Sequence, residues 1–187
     1  MRYTTHMEKF ESTIPILNAD DICVIPTDTV YGVVGKLSSK RAVARIYEVK
    51  QRDPQKPVGT ILAASLEQVA SITTSSALDV AAQYWPGPVS VILPASDEYF
   101  YAHKGEMSFA VRIPDDEPLR ALLEQTGPLA SSSANVQAEP PATTIEEAKA
   151  YFGSEVPLYI DGGDLSGHAP SRIIRIDDDG TVIVIRA

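Results

Sequence analysis

Short runs rich in Val and Ile alternate with amphipathic runs from residue 22 onward. That alternation restricts the architecture more than any other feature of the chain. Strands that are apolar on both faces must be covered on both faces, so alternating strands and helices imply a three-layer α/β arrangement. Residues 22–26 (ICVIP), 58–64 (VGTILAA), 89–95 (VSVILPA) and 108–114 (SFAVRIP) read as strands, as do LYIDGG, SRIIRI and TVIVIRA further on. Helices are predicted over 38–51, 65–72, 77–85, 117–127 and 144–152. Ser38 or Ser39 caps the first, which carries Val43, Ile46 and Tyr47 on one face. Ser65 with Gln68, and Thr144 with Glu147, have capping-box spacing. Pro86-Gly87-Pro88 stops the third helix and Gly127 closes the fourth. The expectation is one domain over residues 1–187, a twisted mixed sheet of roughly seven strands flanked by helices.

At 187 residues the chain can bury one sizeable core. Its longest apolar runs, such as Val89 to Leu93, are far too short to span a bilayer. The opening MRYTTHMEKF lacks the apolar stretch of a signal peptide. Cys23 is the only cysteine, which excludes an internal disulfide and a CxxC zinc site. A cytoplasmic protein with no membrane partner is expected.

The net charge of -9 argues against non-specific nucleic-acid binding. The charge is uneven, however. Lys36, Lys40, Arg41, Arg45, Lys50, Arg52 and Lys56 lie in one stretch with only Glu48 and Asp53, a local excess of five positive charges. Two readings stay open: a confined anion site, or a solvated basic helix face.

The familiar phosphate loops are absent. VVGKLS has Leu37 where a Walker loop needs Ser or Thr, and Val30 where its first Gly belongs. His6, His103 and His168 have no metal-ligand spacing, and Asp177, Asp178 and Asp179 read as a hairpin turn rather than a metal site. Four polar stretches remain. PTDTVYG (26–32) leaves a buried strand, where α/β sheets bind ligands, and it also reads as a turn with an Asp cap. Lys50-Gln51-Arg52 ends a helix, where cations either complement the helix dipole or converge on an anion. In PLASSSAN, a short apolar strand finishes at Leu129 and Ala130, and Ser131, Ser132, Ser133 and Asn135 follow as a Ser-rich turn or as donors to a phosphate. DGGDLSGHAPSR (161–172) is a surface connection or a lid. Arg112 emerges from SFAVRIP opposite Phe109 and Val111, and needs a partner: Asp115, Asp116, or a bound carboxylate gripped through two parallel hydrogen bonds.

Taken in order, PTDTVYG, the Lys-x-Arg after an amphipathic helix, WPGPVSVIL, AVRIP, SSSAN, PSR and a closing VIR resemble the YrdC-like family from about Ile22 to Arg186. The resemblance implies an L-threonylcarbamoyladenylate synthase of the short, single-domain form. Such an enzyme joins L-threonine, bicarbonate and ATP, releases pyrophosphate, and passes its product to separate transferase proteins that modify tRNA. By the same resemblance Lys50 and Arg52 are catalytic and, with Lys56, Ser133, Asn135 and Arg186, bind the nucleotide. Thr29, Tyr31, Arg112, Ser131 and Ser171 would hold threonine. Magnesium would arrive with ATP, with no protein-built metal cage. Departures from the family pattern are Lys56-Pro57, Ile61, Pro141 and Arg172, the last placing a bulky cation beside the expected threonine pocket. Two rivals stand beside this reading. One is a carbamoyl-adenylate module, whose acylphosphatase and zinc regions this chain cannot hold. The other is a family relative acting as a ribosome-associated or double-stranded-RNA-binding factor.

Overall fold

Turn and cap chemistry sets most element boundaries in the computed structural model, which describes residues 9–74, 77–177 and 180–187. The strands are β1 (Cys23–Ile25), β2 (Gly32–Lys36), β3 (Thr60–Leu62), β4 (Val89–Pro94), β5 (Ser108–Arg112), β6 (Leu129–Ser133), β7 (Arg172–Ile176) and β8 (Val182–Arg186). The helices are α1 (Thr13–Asn18), α2 (Lys40–Lys50), α3 (Leu66–Ile72), α4 (Leu78–Ala81), α5 (Phe100–His103), α6 (Glu117–Thr126) and α7 (Ile145–Phe152), with short 3-10 turns after α4, before α5 and after α7. Ser39 accepts from the Ala42 amide and starts α2. Ser65, Asp116 and Thr144 start α3, α6 and α7 in the same way. The two capping boxes close one residue early on the return side, because Gln68 takes the Ala64 amide and Glu147 takes the Thr143 amide.

One sheet contains all eight strands in the order β1-β2-β6-β3-β5-β4-β7-β8. β3/β5 and β4/β7 pair in parallel, and the other neighbours are antiparallel. This is the expected three-layer α/β architecture with one strand more. Six of the seven runs read as strands join the sheet; the other two strands are β2, whose two glycines lower its strand signal, and β6, which extends beyond the short run read as ending at Ala130. Gly35 is there for close approach: a Cβ on it would lie 2.9 Å from the Ala42 Cβ, so α2 packs directly over the strand. Two other sequence expectations are corrected. LYIDGG is not a sheet strand; instead Leu158 and Ile160 cover the free edge of β1 through 2.9 Å hydrogen bonds with Val24. The serines of SSSAN do not follow a finished strand, because β6 continues through Ser133. Asp177 does close the β7–β8 hairpin, its amide donating to Thr181 and its carbonyl accepting from Gly180. Asp178, Asp179, His6 and most of the MRYTTHMEKF segment lie outside the described residues.

Strand alternation divides the side chains between two faces. Val24, Val33, Ile61, Val91, Val111, Ala130 and Ile174 pack with Val43, Ile46 and Val49 of α2 and Ala148 and Phe152 of α7. Cys23, Ile25, Val34, Leu62 and Leu129 point the other way and pack with Leu17 of α1 and Leu119, Leu122 and Leu123 of α6. On that second face the next residues along the same rows turn polar. Thr60 is two residues before Leu62, and Ser131 and Ser133 are two and four after Leu129. Thr60 pairs with Ser131 and with Ala110, two residues before Arg112. The helices thus cover one part of the face, and a polar floor occupies the rest.

Candidate active site

The connection from β1 to β2 folds on its own hydroxyls. Thr27 Oγ1 donates to the Val30 carbonyl at 2.8 Å, accepts the Thr29 amide at 3.2 Å and lies 2.9 Å from Thr29 Oγ1. Arg112, at the end of β5, docks against this turn. Its Nη1 donates to Thr29 Oγ1 at 3.0 Å, its Nη2 to Thr27 Oγ1 at 3.4 Å, and its Nη2 lies 3.1 Å from Asp28 Oδ1. The carboxylate partner is therefore Asp28, not Asp115 or Asp116. Asp115 lies 3.7 Å from Arg120, and Asp116 caps α6.

Arg186 reaches the same space through a bulge. Val184 faces Ile174 while Arg186 faces Ile173, so Ile185 is the extra residue and Arg186 turns onto the polar side. Its Nε and Nη2 donate to the Ser171 carbonyl at 3.0 and 2.6 Å. Ser171 Oγ lies 2.9 Å from Ser90 Oγ, which lies 3.4 Å from Thr60 Oγ1, so a row of hydroxyls crosses the floor. Arg52 enters from the far side, with Nε and Nη2 on the Pro57 carbonyl at 2.9 and 2.6 Å.

These groups surround a cavity of about 370 Å³, within the range of small-molecule sites. Arg52, Arg112 and Arg186 line it, and among the described residues no carboxylate does. Of the residues expected from sequence, Thr29, Tyr31, Arg52, Arg112, Ser131, Ser133, Ser171 and Arg186 all line it.

Lys50, Asn135 and Lys56 do not line it. Lys50 and the SSSAN turn do meet, but behind the wall. Lys50 Nζ donates to the Ser133 carbonyl, to the Asn135 carbonyl at 2.8 Å and to Asn135 Oδ1 at 3.1 Å. Gln51 caps α2 in the left-handed region, and that reversal sends Lys50 and Arg52 to different sides. Lys50 is 2% exposed, and burial together with the Arg52 charge pushes its ammonium down to about 7. Lys56 is exposed and contributes its carbonyl to the Tyr47 hydroxyl. Arg172 is exposed between two cavity residues, Ser171 and Ile173, and so points away from the pocket it was expected to crowd.

Tyr31 lines the cavity and pins the glycine-rich loop. Its hydroxyl donates to the Gly163 carbonyl and accepts the Gly162 amide, both at 2.8 Å. The Leu165 amide donates to Thr143 at 2.8 Å. Only the stretch 166–170 is left exposed without a break, and its Pro170 borders the cavity.

Sequence reasoning missed Thr60, Ser90 and Gly59. Thr60 and Ser90 are polar residues inside runs that otherwise read as buried strand, and that interruption was the available signal. Gly59 has φ +142°, and a Cβ there would lie 2.3 Å from the Ser131 carbonyl oxygen. Gly59→Ala is expected to lower stability by about 2–3 kcal/mol, from backbone strain and a displaced β6. Chemical denaturation checks it, and a loss below about 0.5 kcal/mol would mean that the close approach relaxes freely.

The Sua5/YciO/YrdC family model, described as telomere recombination, matches residues 15–187. The chain belongs to this family. It is 32% identical over 174 residues to the threonylcarbamoyl-AMP synthase of Vibrio campbellii, covering 89% of this chain and 94% of that protein. The crystal structure of P. abyssi Sua5 complexed with L-threonine superposes with a TM-score of 0.85 at 28% identity, over 94% of this chain and 52% of that longer one. E. coli YciO superposes with a TM-score of 0.83 at 25% identity, over 96% of this chain and 89% of YciO. The chain thus spans nearly the whole of the Vibrio and YciO family members and about half of Sua5.

Proposed function

We propose that this member of the Sua5/YciO/YrdC family is a threonylcarbamoyl-AMP synthase acting in tRNA modification. The observation that carries the reading is the cavity itself: among the described residues three guanidiniums line it and no carboxylate does, in a protein of net charge -9. Such a cavity favours an anionic ligand of nucleotide size. The relatives named threonylcarbamoyl-AMP synthase and the Sua5 threonine complex support the choice of substrates.

In this reading the threonine amine and bicarbonate give a carbamate and water. A carbamate oxygen attacks the α-phosphorus of ATP, and the bond from that phosphorus to the pyrophosphate leaving group breaks. The chain's part is positioning and charge stabilisation. Arg112, with Thr29, Ser131 and Ser171 close by, holds threonine, its guanidinium facing the carboxylate. Arg52 and Arg186 face the phosphates, with Ser133 beside them. Lys50 and Asn135 hold Ser133 in place. The nucleotide enters as its magnesium complex, the ion held by phosphate and water. The product then passes to separate transferase proteins, so direct contact with tRNA is not required of this site.

The test supplies ATP, magnesium and bicarbonate with one amino acid at a time, and identifies products by mass. An adenylate and pyrophosphate are expected only when L-threonine is present. Equal pyrophosphate release without an amino acid would replace this reading with a hydrolase.

A further inference from the structure

We propose that Asp28 is a positioning residue that aims the Arg112 guanidinium at the carboxylate of the amino-acid substrate, an inference that rests on the synthase reading. The Asp28 and Arg112 side chains are 7% and 5% exposed. One Asp28 oxygen faces Arg112 Nη2 at 3.1 Å and the other accepts the Asp115 amide at 3.1 Å. Asp28 therefore ties the β1–β2 turn to the connection between β5 and α6, on either side of the residue it faces. It does not line the cavity, whereas Arg112 does.

The arrangement holds the Arg112 guanidinium against the β1–β2 turn and leaves one of its nitrogens without a partner among the described residues. Thr29 and Thr27 hydrogen-bond Nη1 and Nη2, Asp28 Oδ1 meets Nη2 as an ion pair rather than a hydrogen bond, and Nε has no hydrogen-bond partner among the described residues. A guanidinium has five N–H donors in a fixed fork, so donors remain for a second carboxylate. Without Asp28 nothing charged would fix that orientation. The threonine hydroxyls alone would hold it against repulsion from Arg186, whose charge opposes that of Arg112. Burial pushes the Asp28 carboxyl up, and Arg112 and the Asp115 amide act against that push, so each charge of the pair supports the other.

A residue that acts by aiming Arg112 must change threonine binding more than nucleotide binding. The test measures kcat and the KM for threonine and for ATP, together with the melting temperature, for the full-length protein and its Asp28→Asn and Asp28→Glu variants. Asp28→Asn keeps an acceptor for the Asp115 amide and removes the charge. It is expected to raise the threonine KM at least tenfold and leave the ATP KM within twofold. Asp28→Glu keeps the charge one methylene further out, and its threonine KM is expected at least threefold above wild type but below that of the Asn variant. If Asp28→Asn does not fold, the Glu variant decides alone. An unchanged threonine KM, or equal rises for threonine and ATP, would overturn the proposal and leave Asp28 as part of the scaffold. A wild-type protein that forms no adenylate on threonine would refute the synthase reading itself, and this inference with it.

Discussion

Arg52→Ala is expected to lower adenylate formation about a hundredfold or more, because it removes a preorganised charge facing the transferring phosphate. The guanidinium is already oriented before any ligand arrives, with Nε and Nη2 fixed on the Pro57 carbonyl. The guanidinium also interacts with the Tyr47 hydroxyl, and it lines the cavity where an anion would sit. The same substitution removes those two bonds, so a stability loss of about 1–3 kcal/mol accompanies it. The two effects separate in Arg52→Lys, which restores a point charge and one donor but not the fork. Activity there should recover only in part, while the melting temperature recovers most of its loss. Pyrophosphate release and thermal melts on the two variants check this. Turnover within threefold of wild type for the alanine variant would leave Arg52 as an anchor for Pro57 and remove it from the site.

Much of this site was legible in sequence because its residues sit at strand ends and in turns, where polar side chains have no scaffold pattern to hide in. PTDTVYG and SSSAN were visible for that reason, whereas the closing Arg186 was named only through the resemblance to the family. Thr60 and Ser90 were harder to see because each is one polar residue inside an otherwise apolar strand, and only the sheet order brings them beside Ser171. The side chains in Lys50-Gln51-Arg52 were legible as a pair but not in their directions. Their separation depends on a left-handed cap at Gln51, a conformation the residue type does not announce. Nor could sequence assign the partner of Arg112. Asp115 and Asp116 are near in the chain, but a helix cap claims one, and the turn that carries Asp28 reaches Arg112 from 84 residues away. At fold level the strand pattern held except where glycine weakened it, at β2, and where an extended segment lay along an edge without joining the sheet.

Lys50→Met tests whether the buried lysine works from behind the wall. Methionine fills the volume, but it removes one donor each from the Ser133 carbonyl, the Asn135 carbonyl and Asn135 Oδ1. Ser133, whose hydroxyl donates to Asn135 Oδ1 at 2.6 Å, then loses its fixed position beside the cavity. A misplacement of about 1 Å in such a group costs about a hundredfold in rate, and a loss of that size is expected although Lys50 does not line the cavity. Stability gives a second readout, with a definite sign. Burial and Arg52 lower the folded-state value to about 7, whereas an unfolded lysine titrates near about 10.4. Between those values the unfolded chain binds more protons, so this group's contribution to stability grows as pH rises through that window and is lost as pH falls through about 7. Methionine cannot titrate. The variant's stability deficit should therefore widen between pH 7 and pH 10, as followed by urea denaturation at several pH values. Parallel stability profiles for the two proteins would mean that Lys50 stays charged throughout, its three oxygen partners outweighing burial. An unchanged turnover would detach the Ser133–Asn135 turn from the chemistry.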